Sequence, residues 1–387
     1  MAHIKGDWQL NEAITPQWLN GVDNFETYKI GDTLTTVRTD LPDNWLLCDG
    51  SGFSGTEYPK LAEMIAAGTP SGQWEQNNQG VSDLHCIEYG DGWWVAIGDN
   101  GTVYTKQGSP SGEWTKNNTA FGNVYFRQVA YGNGYWVALG TSNCWYKSGD
   151  PSGTWTKHPI MSAVSSITAL TFGNGSFVIG AGAYNSNPAI YHTTNPSATW
   201  QQASVTSPAY GTSFIGISYS NGRWVAFGSV GMPSSKGIYY YTSDLTSPFV
   251  PIQCNNTNSV YGLVYFEGFW VFTCGSNSFY LTALGESPIL ISGLSGKPVA
   301  KVVVGNGYLV TIYVSPVGAV YYMLGSPDTG TVISNFQGNK GIQGIAYGNG
   351  QFVIVGNGGT VYYTNSYTLP TISTGAYTYI KAKEEIS

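Results

Sequence analysis

Charge is scarce in this sequence: only 10% of its 387 residues are Asp, Glu, Lys or Arg, and the formal net charge is -7. A chain with so few cations offers no basic face, so nucleic acid and an anionic membrane surface are not expected partners. Long apolar runs are missing too. No stretch approaches the ~20 apolar residues of a membrane span, and the start, "MAHIKGDWQLNEAI", lacks the apolar core of a signal peptide, so neither an anchor nor export by the chain itself is expected. The five cysteines, Cys48, Cys86, Cys144, Cys254 and Cys274, are odd in number and show no CxxC spacing. That gives little support to a zinc site or to a disulfide framework, and buried free thiols are expected instead. His85, His158 and His192 stand apart, without metal-ligand spacing, and read as structural residues. No metal and no cofactor is expected.

What the chain does have is apolar and aromatic mass, 42% and 14% of its residues, enough for a large core. It also repeats itself. "YGNGYWVALG" at 131 returns as "YGDGWWVAIG" at 89, "FGNGSFVIGA" at 172, "YSNGRWVAFG" at 219 and "YGNGQFVIVG" at 347, with weaker copies "VYFEGFWVFT" at 264 and "VVGNGYLVTI" at 303. Counted from the residue at the Tyr131 position, the seven copies begin at 89, 131, 172, 219, 265, 304 and 347, with spacings of 42, 41, 47, 46, 39 and 43. This is the period of a four-stranded propeller blade. An Asn-Gly or Asp-Gly pair between two apolar runs predicts a hairpin, and a continuous run such as "WWVAIG" suits a strand covered on both faces. A third strand with paired aromatics follows. A turn and a Trp-bearing fourth strand close the unit, as in "SPSGEWTKNN" at 109, "DPSGTWTKHP" at 150 and "NPSATWQQAS" at 195.

The closing motif appears once more, as "TPSGQWEQNN" at 69, before the first unit, while the last unit ends in "TNSYTLPTIS" without it. Residues 73 to 78 are therefore expected to supply the outer strand of the last blade, which removes an exposed sheet edge. The expected fold is all-β: a seven-bladed β-propeller over 69–366.

The segments outside the ring then form one unit. "IGDTLTTVRTDLPDNWLLCDGSGFSGTEYPKLAEMI" at 30 to 65, with Trp45, Cys48, Asp49, Gly50, Tyr58, Pro59 and Leu61, resembles the tail-collar motif of phage tail fibre proteins. "TLPTISTGAYTYIKAKEEIS" at 368 to 387 resembles the end of the same module. Residues 8 to 20, "WQLNEAITPQWLN", are similar to amino-terminal segments of phage tail proteins from Gram-positive hosts, where this stretch opens a helix; Thr15 would cap it, with Pro16 in its first turn. The resemblance implies an amino-terminal virion-attachment segment at 1–29, a collar-like module at 30–68 and 367–387 interrupted by the propeller, and a place in the virion tail. It also implies contacts with other tail or baseplate proteins through the amino-terminal segment, and a homo-oligomer, since trimers are common in tail fibres.

"SGDPSGTW" at 148 is close to the Asp-box turn of sialidase propellers, but a sialidase site needs three converging arginines. The whole chain holds Arg38, Arg127 and Arg223, and only two of these lie in the ring. The likeness is read as a structural turn. Asp83, Glu88, Asp91 and Asp99 cluster around the first blade and read as solvated turn residues, although a carboxylate pair for glycoside hydrolysis needs only spatial proximity.

In each blade the first and third turns open on one face and are nearly constant. The second turns and inter-blade loops open on the other and vary: "AGAYNSNPA" at 181, "SVGMPSSKG" at 229, "TAFGNVYF" at 119, "SVTSPAYGTSF" at 204 and "CNNTNSV" at 254. Binding is expected on the variable face, where aromatic, amide and hydroxyl groups suit neutral carbohydrate. Tyr125, Tyr184, Asn185, Tyr210 and Asn256 are the candidate ligand contacts. The leading expectation is a phage tail receptor-binding protein, not an enzyme, that adheres to a host surface polysaccharide. A glycan depolymerase and a structural tail-tip or baseplate protein are the alternatives.

Overall fold

The computed structural model describes residues 33–36, 45–47 and 377–381, and 74–364 apart from 81, 118, 141–142, 159–166, 183–186, 207–210, 232–235, 255–258, 298, 306, 314–317, 325, 329, 334–335, 337 and 339. The chain divides into two compact units, 68–365 and a second formed by 1–67 with 366–387. In the second unit, Thr33–Thr36 and Trp45–Leu47 both pair antiparallel with Tyr377–Lys381, which lies between them. The other residues assigned to a virion-attachment helix and a collar lie outside the described residues.

The larger unit is a seven-bladed β-propeller. Seven four-stranded antiparallel sheets follow one another along the chain, spanning 84–116, 128–158, 167–203, 212–254, 262–290, 301–333 and 342–364. The last sheet has only three strands of its own. Its fourth is Trp74–Asn78, which pairs with Thr360–Thr364 in the register Trp74↔Thr364 to Asn78↔Thr360. The extra Trp motif thus closes the ring.

The repeated decapeptide sits where the inner and second strands of each blade meet. Its Asn-Gly or Asp-Gly pair takes the left-handed region at both residues, as at Asn133 (φ 47°) and Gly134 (φ 75°), the geometry of a tight hairpin turn. The aromatic that opens it packs on the buried ring of the next strand: Tyr89 on Trp94 at 4.6 Å, Tyr131 on Trp136 at 4.8 Å, Tyr347 on Phe352 at 4.7 Å. That aromatic also covers the glycine of the preceding blade. A Cβ on Gly90 would lie 2.3 Å from the Tyr131 ring, and one on Gly132 would lie 2.1 Å from Phe172. The series ends where it began, with Gly348 against Tyr89 at 2.2 Å. Five of the seven joints are built this way, with an aromatic on one blade and a glycine on its neighbour, while Ser220 and Phe266 take the glycine position in the other two.

The Trp strands lock the rim. Trp114 and Trp155 donate their indole N–H to the carbonyls of Pro110 and Pro151, each at 2.9 Å. In the Asp-box-like turn Asp150 accepts from the Ser152 amide at 2.8 Å, which gives that motif a structural role. Buried Asn117 donates to the Pro151, Ser152 and Gly153 carbonyls at 2.9 to 3.1 Å, tying the first blade to the second. Asn77 of the closing strand makes the same kind of tie to Gly112. Cys86, Cys144, Cys254 and Cys274 are in no disulfide.

Candidate functional site: the mouth of the axial channel

Each inner strand begins on the face that carries the second turns and inter-blade loops, and it begins with an irregularity. The ladder skips a residue between Leu84 and Cys86, Ile167 and Ala169, Phe214 and Gly216, and Ile342 and Gly344. In the second blade Arg127 donates its amide to the Leu139 carbonyl while Gln128 is already paired with Leu139. Tyr261 and Ala300 repeat this opposite Thr273 and Ile312. A bulge of this kind inserts one residue and re-aims a side chain. The chain thereby presents seven bulge residues at one end of the ring: His85, Arg127, Thr168, Ile215, Tyr261, Ala300 and Gln343.

Five of the seven, with Tyr125, Gln128, Ser213, Phe214 and Lys301, line a cavity of about 310 Å³ on the ring axis. The residue after the bulge is small or compact in five blades, Cys86, Ala169, Gly216, Gly262 and Gly344. In the other two it is Gln128 and Lys301, long polar side chains that extend into the mouth. The Gln128 amide spans three blades, donating to the Ile215 carbonyl at 3.2 Å and accepting from the Leu170 amide. Thr168 donates to the Phe214 carbonyl at 2.5 Å, and Gln343 donates to Asn357 in the second turn of the last blade at 3.0 Å.

The rim is aromatic. Tyr125, 44% exposed, stacks on His85 with centroids 4.4 Å apart, and the Arg127 guanidinium lies 5.2 Å from the Tyr125 centroid. His85 Nε2 is 2.8 Å from Asp99 Oδ1, which anchors the imidazole from below. A flat ring backed by an imidazole is a rigid platform, with little rotamer freedom left to lose on binding.

No protein-family model matches the chain, and no curated protein is similar to it in sequence. Among solved structures, YCF48 bound to D1 peptide superposes with a TM-score of 0.62 at 14% identity, covering 79% of this chain and 99% of that one. Virginiamycin B lyase from Staphylococcus aureus superposes with a TM-score of 0.61 at 10% identity, covering 76% and 99%. The WD40 propeller of Doa1 gives 0.57 at 10% identity, covering 76% and 96%. What they share with this chain is the propeller. At such identities a likeness carries no ligand and no activity.

Of the candidate ligand contacts, Tyr125 stands on the mouth, while Tyr184, Asn185, Tyr210 and Asn256 lie outside the described residues. His85, read as a structural residue, stands beneath the rim with its imidazole bonded to Asp99 and stacked on Tyr125. Glu88 departs from its reading as a solvated turn residue. It lies within the inner strand Leu84–Gly90, partly buried, and its carboxylate accepts the Tyr89 amide at 3.2 Å. Trp93, on the opposite face, packs against the core shared by the first two blades. Arg127 and Arg223 open strands at opposite ends of their blades, so no arginine cluster forms from them. Among the described residues no group of three or more His, Cys, Asp or Glu could hold a metal ion.

Burial pushes the Glu88 carboxyl up to about 7. Its folded pKa is then above its unfolded one, so the protonated form is the one the fold favours. The associated stability is fully present below about pH 4.5 and is lost as pH rises from there through about 7, by an amount on the order of 3 kcal/mol. Glu88→Gln is expected to abolish that loss. Urea denaturation of both proteins at pH 5 and pH 8 checks it, and parallel pH dependence in the two would contradict the assignment.

Proposed function

We propose that this chain is a phage tail receptor-binding protein whose propeller adheres to a host cell-surface glycan at the channel mouth, with the segments outside the ring attaching it to the virion. The observation that carries the binding half is the mouth itself: a concave axial site with a fixed tyrosine platform at its rim and amide, hydroxyl and cationic groups converging below it. Such a site suits a sugar, whose C–H face stacks on Tyr125 while its hydroxyls meet Gln128, Thr168, Ser213 and Gln343. Support for the virion half is the resemblance of 30–65 and 368–387 to a tail-collar module. Weak binding per site suffices when many copies act together on one particle.

A binding role is favoured over hydrolysis because none of the described lining residues carries a carboxylate. Of the nearby acids, Asp99 is held by His85, and Asp83 accepts the Gly358 amide at 2.7 Å. Docking to another virion protein is the second reading. It draws on Val250, Ile289 and Leu290, which leave 42 to 50% of their surfaces exposed on the outer strands of the fourth and fifth blades.

The test is binding of the full chain to extracted host wall polysaccharide. Saturable binding that falls about tenfold in Tyr125→Ala is expected, since one aromatic stack contributes about 1–1.5 kcal/mol. Absence of binding, with intact adsorption of particles whose Tyr125 is replaced, would remove the adhesion reading. Release of oligosaccharides during the incubation would move the assignment to a depolymerase.

A further inference from the structure

We infer that the channel mouth selects an anionic group on its ligand, so that the glycan carries a phosphodiester or a uronic acid carboxylate and is not the neutral polymer the loop composition suggests. This rests on the mouth being the glycan site.

The argument begins with scarcity. The chain has 16 lysines and arginines against 23 acids, yet two of those cations, Arg127 and Lys301, line one axial cavity together with His85, and no described carboxylate lines it with them. The repeat provides the comparison that makes this specific. At the position after the bulge five blades carry Cys, Ala or Gly, and the sixth carries Lys301. At the bulge itself the residue varies from blade to blade, and the second blade carries Arg127 there. Lys301 therefore departs from the repeat's own rule, and Arg127 stands at the same end of the ring.

Among the described residues neither cation has a carboxylate partner. The Lys301 side chain makes no ion pair and no hydrogen bond there, and its ammonium acts on Cys86, whose thiol burial pushes up against that pull. Among the same residues the Arg127 guanidinium meets the face of Tyr125, which leaves its five N–H donors for a ligand. Asp99, bonded to His85, and Asp83, which accepts the Gly358 amide, keep their charge near Tyr125 but do not line the cavity. Two cations that are unpaired among the described residues, Lys301 partly buried and Arg127 exposed, beside an aromatic platform fit an anion attached to a sugar ring: the ring on Tyr125, the charge between Arg127 and Lys301.

The chain's three arginines make a direct test possible. With 15N-labelled arginine, the side-chain Nε–H spectrum of the full protein holds three signals, and Arg127→Gln identifies the one at the mouth. The probes are sn-glycerol 3-phosphate, tri-galacturonate, neutral maltotriose, and host wall polysaccharide before and after removal of its acidic groups. The Arg127 signal is expected to move with an anionic probe and not with maltotriose, and the anionic probe that binds more tightly names the source, a phosphate polymer or a uronic acid polysaccharide. Lys301→Gln is expected to weaken that binding about tenfold to a hundredfold, Lys301→Arg to retain most of it, and added salt to weaken it further. Equal responses to maltotriose and the anions, or unchanged binding in folded Lys301→Gln and Arg127→Gln proteins, would overturn the inference. Wall polysaccharide bound equally well with and without its acidic groups would overturn it too while leaving glycan adhesion standing. Anion binding without any wall polysaccharide binding would keep the site and remove the adhesion reading.

Discussion

Trp136→Ala is expected to lower the free energy of unfolding by about 3–5 kcal/mol, the usual range for deleting a fully buried aromatic side chain. Trp136 is 0% exposed and belongs to the cluster that joins the first and second blades, with Val95, Ile97, Phe126 and Trp145. Its loss empties the centre of a joint that no other side chain can reach. The repeat also predicts the mild substitution. Phe177 and Phe352 occupy the same position in the third and seventh blades, both fully buried, and the Trp136 indole N–H meets no acceptor. Trp136→Phe therefore removes an unsatisfied donor as well as some volume, and the two effects partly offset. Its expected cost is below about 1.5 kcal/mol. Guanidinium denaturation of the two variants separates them, and equal losses would mean that the blades are not interchangeable at this position.

Gly348→Ala is the second large effect. The new Cβ would lie 2.2 to 2.4 Å from three atoms of Tyr89, and that ring is already packed against Trp94 with centroids 4.6 Å apart. Because this joint lies between the last blade and the first, the strain falls on ring closure. A loss of about 1–3 kcal/mol or more is expected, with broadened unfolding as the seventh sheet separates early. Tyr89→Gly in the same protein removes all three of those atoms and makes room for the methyl group. The double variant is then expected to be more stable than the sum of the single losses predicts. Strict additivity would show that the clash is relieved elsewhere.

Much of this architecture was legible because a repeated sequence carries its own alignment. Seven copies of the hairpin, the continuous apolar second strand and the spare Trp motif at 69 were enough to count the blades and to place the closing strand. The site was less legible. Variable loops drew attention, and Tyr125 was found there. Arg127 and Lys301, however, lie at the very start of inner strands, and His85 and Glu88 were set aside as bland. The physical obstacle is the bulge: one inserted residue reverses which side chains point which way, and a period of two cannot reveal where that happens. A usable signal was nonetheless present in the aligned copies. Three and four residues before the repeated aromatic, small or neutral residues alternate with Arg127, Gln128 and Lys301, and that irregularity within a regular frame marks the mouth.

The chain comes into the ring at Trp74 and leaves it at Thr364, and these two residues face each other in one sheet, about 5 Å apart. In genetic terms the disc is a cassette. One exchange spanning the codons for 74 to 364 would replace every loop of the ring together, and any ring closed by the same pairing would return its ends at the same separation. The flanking segments can then stay unchanged while the ring between them diversifies, so the two parts of the chain are free to evolve at different rates within a single reading frame.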